Sequence, residues 1–174
     1  DQRGLNPKRS RRVIDVCCIT HDRYDHLDHN SVLELKAHVD MWVAPLGVGD
    51  WIVRNCEIDP DRVIQLEWWN EVRLRKSTHR IDGDSTVEVI AQDAMMGQQD
   101  SKTTPSIENN PSSDDLTITC CPASHWASRT MPDRNFRLWS SFAFRTNSYK
   151  FFLCGDTSYP EAFPLFRQIG DLLG

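Results

Sequence analysis

Three apolar runs in this chain stop at side chains that bind metals, and that recurrence constrains the fold more than any other feature. Val13-Ile14-Asp15-Val16-Cys17-Cys18-Ile19-Thr20 reads as a buried, β-branched strand that runs straight into His21-Asp22-Arg23-Tyr24-Asp25-His26. Leu116 to Cys121 leads to His125, and Tyr149 to Leu153 leads to Gly155-Asp156-Thr157. A strand fixes the backbone where it ends, and the loop that follows lets neighbouring side chains converge on one point. The chain must therefore carry three distant strand ends to a common place if these groups act together.

The bulk numbers narrow the class. At 174 residues the chain suits one domain, 1–174, with a substantial core. A content of 39% hydrophobic and 26% charged residues is that of an ordinary globular domain. The net charge of −5 argues against nucleic acid as a partner, because phosphate binding needs a basic face. Lys8-Arg9-Ser10-Arg11-Arg12 and Arg73-Leu74-Arg75-Lys76 are short enough to read as solvated surface. No apolar stretch reaches the length that spans a bilayer, and the polar start at Asp1-Gln2-Arg3-Gly4 carries no secretory signal. Six cysteines occur without a CxxC pair, and adjacent cysteines on a strand point to opposite faces. They read as reduced core thiols in a cytosolic setting.

Strand-like and helix-like segments alternate through the first third. A helix capped by Asn30 or Ser31 follows the His/Asp loop, with Val32, Leu33, Leu35, Ala37 and Val39 as its apolar positions. Strand 41–45 stops at Pro45-Leu46-Gly47, residues 50–55 form a helix, and 62–66 form a third strand. This alternation indicates an α/β layered domain. Further strands are expected at 71–74 and 86–90 around the turn Asp82-Gly83-Asp84, then at 116–121, 138–144 and 149–153. Residues 92–115 are dominated by Gln, Ser, Thr, Asn, Asp and Pro and lack aromatics, so they read as a disordered insertion within one domain.

The string His21-x-x-x-Asp25-His26, then His125, then Gly155-Asp156-Thr157 resembles the metallo-β-lactamase superfamily. The blocks Asp25 to Val32, Ala44 to Gly47, Leu66-Glu67-Trp68-Trp69, Ser124-His125-Trp126 with Arg129-Thr130, and Gly155 to Tyr159 resemble its N-acylphosphatidylethanolamine-hydrolysing phospholipase D family. That resemblance implies an αββα sandwich of mixed α/β class with two zinc ions at one edge of the paired sheets. It implies His21 and His125 on the first zinc, Asp25 and His26 on the second, and Asp156 shared by both. Asp25 would also orient the attacking water as a catalytic residue. Imidazole and carboxylate are the usual zinc ligands other than thiolate, and a shared carboxylate holds two cations about 3.5–4 Å apart. The implied reaction splits N-acyl phosphatidylethanolamine into N-acylethanolamine and phosphatidic acid. The implied partner is a phospholipid substrate met at the cytoplasmic, peripheral face of intracellular membranes, and a homodimer stays open.

One position departs from the family pattern His-x-His-x-Asp-His. Its middle residue here is Arg23, which stays protonated and offers no lone pair. The first cation would keep His21, His125 and Asp156, and three protein ligands still make a catalytic zinc site. The pattern also has a later histidine that this chain does not reach, and earlier strands, so the sandwich is expected to be incomplete at both ends. Two alternatives therefore stand beside the phospholipase reading. One is a degenerate relative that keeps the fold and binds lipid or a single metal; the other is a hydrolase of the same fold acting on a lactone or a nucleotide phosphodiester. Of the other residues, His29 and His38 read as surface or capping groups, Tyr24 as structural, and Trp51, Trp68 and Trp69 as packing; Trp126 is a candidate cleft wall.

Overall fold

The computed structural model describes residues 14–78, 85–93, 115–161 and 164–174. Strands β1 (Ile14–Cys18), β2 (Val39–Pro45) and β3 (Val63–Leu66) form a parallel sheet in the order β1-β2-β3. Its crossovers are helices α1 (His29–Leu35) and α2 (Val48–Cys56). Strands β4 (Glu71–Thr78), β5 (Ser85–Asp93), β6 (Asp115–Cys121), β7 (Ser141–Arg145) and β8 (Lys150–Leu153) form an antiparallel sheet in the order β5-β4-β6-β7-β8. Helix α3 (Leu165–Leu173) closes the chain.

The alternation of side chains along each strand explains the layers. In β2 every residue is buried, as expected of a central parallel strand covered on both faces. Trp42 and Ala44 face α1 and α2 and pack with Val32, Val48 and Ile52. Met41 and Val43 face the other way and pack with Val72, Leu74, Ile118, Cys120 and Phe142 of the second sheet. The second sheet alternates likewise: its outer residues Cys121 and Ala143 pack on Leu165 and Ile169 of α3. Helices, sheet, sheet and helix thus stack in four layers, the expected αββα sandwich, with its main core between the sheets.

Local chemistry sets the helix boundaries. Asp28, rather than Asn30 or Ser31, caps α1: its carboxylate accepts 2.8 Å hydrogen bonds from the Ser31 N–H and hydroxyl. The helix ends at Leu35, and Val39 starts β2 instead of extending the helix. The Arg62 guanidinium holds that strand entry by donating to the carbonyls of Lys36, Val39 and Asp40. In α2, Val48, Ile52 and Cys56 recur every four residues and form its buried face. Gly49 lies on the same helix against β3. A Cβ there would stand 2.8 Å from Gln65 Cδ and 2.9 Å from Val63 Cγ1, so only hydrogen fits.

The cysteines follow the strand alternation closely. Cys17 packs under the helices and Cys18 between the sheets; Cys120 lies between the sheets and Cys121 under α3. All six are free, but Cys154 is exposed and is no core thiol. Burial pushes the Cys17 thiol up to about 11 and Cys120 up to about 12, so both stay protonated. The Asp82-Gly83-Asp84 turn and residues 1–13 lie outside the described residues, as do 94–114 of the polar stretch; the ends of that stretch belong to β5 and β6. Strand β7 begins at Ser141 instead of 138, because 138–140 are spent crossing to the first sheet, where Ser140 N–H donates to Thr20 O at 2.8 Å. Substituting Gly49→Ala should lower stability by about 1–3 kcal/mol through overpacking against Gln65 and Val63, read as a fall in the urea midpoint at unchanged slope.

Candidate metal centre

Strand directions bring the three candidate loops together. β6 and β8 are both antiparallel to β7, so they run the same way and end at the same edge. His125 follows β6 and Asp156 follows β8. Their loops are tied side by side: Ser124 N–H donates to Thr157 Oγ1 at 2.9 Å, Ser158 N–H to Ser124 O at 3.0 Å, and the two serine hydroxyls pair at 2.8 Å. The loop after β1 reaches the same edge through Thr20, whose carbonyl accepts from Ser140. Gly155 makes the approach possible. Its φ of +56° suits glycine, and a Cβ there would stand 3.0 Å from Thr20 Cγ2.

The result is a convergent donor cluster. One ligand atom from each of His21, His125 and Asp156 lies within 4.8 Å of the others, and among the described residues this is the group in mutual range. Asp156 Oδ2 is the hub, 3.9 Å from His21 Nε2, 3.6 Å from His125 Nε2 and 3.2 Å from His26 Nε2. The His21 and His26 rings stand 4.3 Å apart, and His21 and His125 5.0 Å apart edge to face. His21 is almost fully buried, and its Nδ1 lies 3.0 Å from Thr20 Oγ1. A hydroxyl on one ring nitrogen directs the other toward a cation. His21 Nε2 and His125 Nε2 are both buried and find no hydrogen-bond partner among the described residues. Two orphaned imidazole nitrogens facing a carboxylate are what a divalent cation would satisfy, so this donor set fits one.

The electrostatics agree. Burial, followed by the neighbouring His26 and His125, pushes the His21 imidazole down to about 4. Burial also lowers His125, against the opposing pull of Asp156. Both rings therefore stay neutral at pH 7 and keep the lone pairs that metal binding needs.

Asp25 and Arg23 behave differently from the trio. Asp25 is 41% exposed, with its Oδ2 3.8 Å from His26 Nε2. Arg23 turns inward and bridges the carboxylates, with one amino group 3.3 Å from Asp25 Oδ2 and the other 3.4 Å from Asp156 Oδ2. Its guanidinium also stands 5.6 Å from the Trp126 ring, which Arg134 approaches at 5.0 Å. Trp126 stands beside His125, with ring centroids 5.7 Å apart. His29 is turned away, hydrogen-bonded to Asn55 O at 2.9 Å, and His38 is exposed. Tyr24 is 71% exposed and so is not the structural residue expected of it.

The supports of the His loop were not legible in the sequence. Asp22 is fully buried and accepts from the Arg137 guanidinium at 2.7 Å; the same amino group reaches Asp133 at 3.0 Å. Arg129 donates to the carbonyls of Asp22 and Leu27 and stacks 3.9 Å from the Trp51 ring. Burial pulls the Asp133 carboxyl upward, but hydrogen bonds from Thr130, Arg137 and Arg129 outweigh it and hold the group at about 2. The sequence signal was slight: Arg129 stood out only beside Thr130, and nothing marked Arg137.

The comparisons with known proteins fall on this geometry. The family described as Beta-lactamase superfamily domain matches residues 1–174. A Mycobacterium tuberculosis protein named as uncharacterized is 28% identical over 159 residues, which is 91% of this chain and 31% of that protein. The N-acyl-phosphatidylethanolamine-hydrolyzing phospholipase D 1 of Caenorhabditis elegans is 29% identical over 167 residues, 92% of this chain and 36% of the relative. The mitochondrial N-acyl-phosphatidylethanolamine-hydrolyzing phospholipase D of Saccharomyces cerevisiae is 26% identical over 164 residues, 92% of this chain and 26% of the relative. The fold is a pair of packed sheets with a donor cluster at one edge, and the chain belongs to the beta-lactamase superfamily. It spans about a third or less of each of these relatives' lengths.

Two outcomes test this account. In chelator-treated protein, the unfolded chain binds a proton on His21 below its ordinary 6.5, whereas the folded chain refuses it until about pH 4. Stability should therefore rise with pH across that window and level off above it, read as the urea midpoint at several pH values. Separately, Arg137→Ala leaves the Asp22 carboxylate buried without its partner and should cost about 3 kcal/mol, measured by chemical unfolding.

Proposed function

We propose that this chain is the metal-binding part of a hydrolase that cleaves the phosphodiester of N-acyl phosphatidylethanolamines, releasing N-acylethanolamine and phosphatidic acid. The observation that carries the hydrolytic reading is the convergence of His21, His125 and Asp156, with two imidazole nitrogens left without protein partners. The substrate class rests on the relatives named for that activity. Zinc is the proposed ion, because neutral imidazole and carboxylate without thiolate form its usual catalytic ligand set. When bound, such a cation supplies Lewis acidity that polarises a phosphoryl oxygen and acidifies water near neutral pH.

The chain's own groups perform the rest. His21 and His125 would present buried, neutral ring nitrogens, and Asp156 would supply a negative charge beside the cation. Asp25, exposed and 3.8 Å from His26, would accept a hydrogen bond from attacking water. Trp126 gives the entrance an apolar wall, with Arg134 beside it to meet a phosphate. Met131, 97% exposed, and Phe136, 78% exposed, lie on the same 126–137 segment as these groups. That mixture of apolar and cationic side chains suits peripheral contact with a lipid headgroup layer at the cytoplasmic face of intracellular membranes. Among the described residues no helix is long and apolar enough to cross a membrane.

A second reading is favoured by Arg23: a relative that keeps the fold and binds a metal or lipid without turnover. The two separate in one assay. The whole protein as naturally expressed, loaded with zinc and given vesicles of N-acyl phosphatidylethanolamine, should release phosphatidic acid. His125→Ala should reduce that release by about 100-fold or more, since losing even an outer partner of a metal site costs about 10- to 100-fold. Zinc uptake without phosphatidic acid would favour the second reading.

A further inference from the structure

The arrangement around Arg23 carries an inference beyond the trio. Beside the trio, His26 Nε2 lies 3.8 Å from Asp25 Oδ2 and 3.2 Å from Asp156 Oδ2. A guanidinium already sits beside these atoms. Arg23 places one amino nitrogen 3.4 Å from Asp156 and the other 3.3 Å from Asp25, spanning the two carboxylates as a bridging cation would. Resting 5.6 Å from the Trp126 ring, it has an aromatic face on one side.

Charge balance follows from this placement. Arginine cannot shed its proton in the working range, so its positive charge is permanent. The two carboxylates offset the guanidinium and leave one negative charge, which a single dication at His21, His125 and Asp156 more than neutralises. A second dication would lie against both the first dication and the guanidinium, with no further carboxylate in the cluster to compensate it. It would also have to displace Arg23 from both acids.

We propose that Arg23 takes the place of a second cation, so that the site holds one divalent ion on His21, His125 and Asp156 beside a fixed guanidinium. This rests on the metal-dependent reading above but goes further, because it assigns Arg23 a role in the site and limits the ion count. Of the five N–H donors of the guanidinium, those not given to Asp25 and Asp156 would serve an anionic oxygen of the substrate, a task the second ion would otherwise perform.

Metal stoichiometry tests the inference without reference to turnover. The whole protein, dialysed against zinc and then against buffer, should carry one zinc per chain by elemental analysis. R23H, which replaces the guanidinium with a neutral donor, should carry two, with circular dichroism confirming that it folds. In zinc titrations the second ion should bind R23H about 100-fold more tightly than the parent, in line with the cost of removing a metal-site partner. Two zinc ions in the parent would overturn the inference and leave the hydrolase reading intact. One zinc in R23H would also overturn it, since Arg23 would then not be what excludes the second ion. No zinc in either protein would overturn the metal-dependent reading itself.

Discussion

The buried carboxylate of Asp22 is the constraint on which the candidate metal centre depends. A charge with no solvent exposure persists only with a partner, and Arg137 supplies it at 2.7 Å. That pair pulls the loop after β1 down onto the 129–137 segment, where Arg129 grips the carbonyls of Asp22 and Leu27. Leu27, fully buried, anchors the far end of the loop in the helix-facing core. His21, Arg23, Asp25 and His26 thus project from a loop fixed at both ends, although none of them makes those anchoring contacts. The residues that hold the loop are not the residues that supply the candidate donors.

The layered architecture does the remaining positioning. A parallel sheet covered by helices faces an antiparallel sheet, and the strand ends of both reach the same edge. Rigid strands deliver donors from three places far apart in the chain, and short hydrogen bonds between Ser124, Thr157 and Ser158 lock two of those ends together. Sites built on such ends are pre-organised, so the donors need little rearrangement to take up an ion. The neutral state of His21 and His125 is a product of the same burial. Packing and ligand chemistry are therefore linked here: the burial that helps stabilise the sandwich also keeps the imidazole lone pairs free.

Arg23 shows how one substitution changes the logic of such a centre. Its guanidinium neither swings into solvent nor opens the cluster; it finds the two acids nearest the trio and binds both. An immobile guanidinium can orient an anion, but it cannot accept a ligand or acidify water.

By itself the sequence determined most of the element types and an α/β layered class, though not helix α3, and it marked the candidate donors. Period-two burial placed Cys17 and Cys18, or Trp42 and Val43, on opposite faces, because side chains on a strand must alternate. The apolar runs ending at His21, His125 and Asp156 likewise mark the residues that the fold brings together. Boundaries were less legible where a tertiary partner decided them: Asp28 caps α1, Val39 joins β2 under the hold of Arg62, and β7 starts late because Ser140 pairs with Thr20. Only the tertiary structure decided which way Arg23 points and that Asp22, Arg129 and Arg137 support the loop. These are contacts between residues more than a hundred positions apart, and no local pattern encodes a charge's partner when that partner is supplied by another layer of the fold.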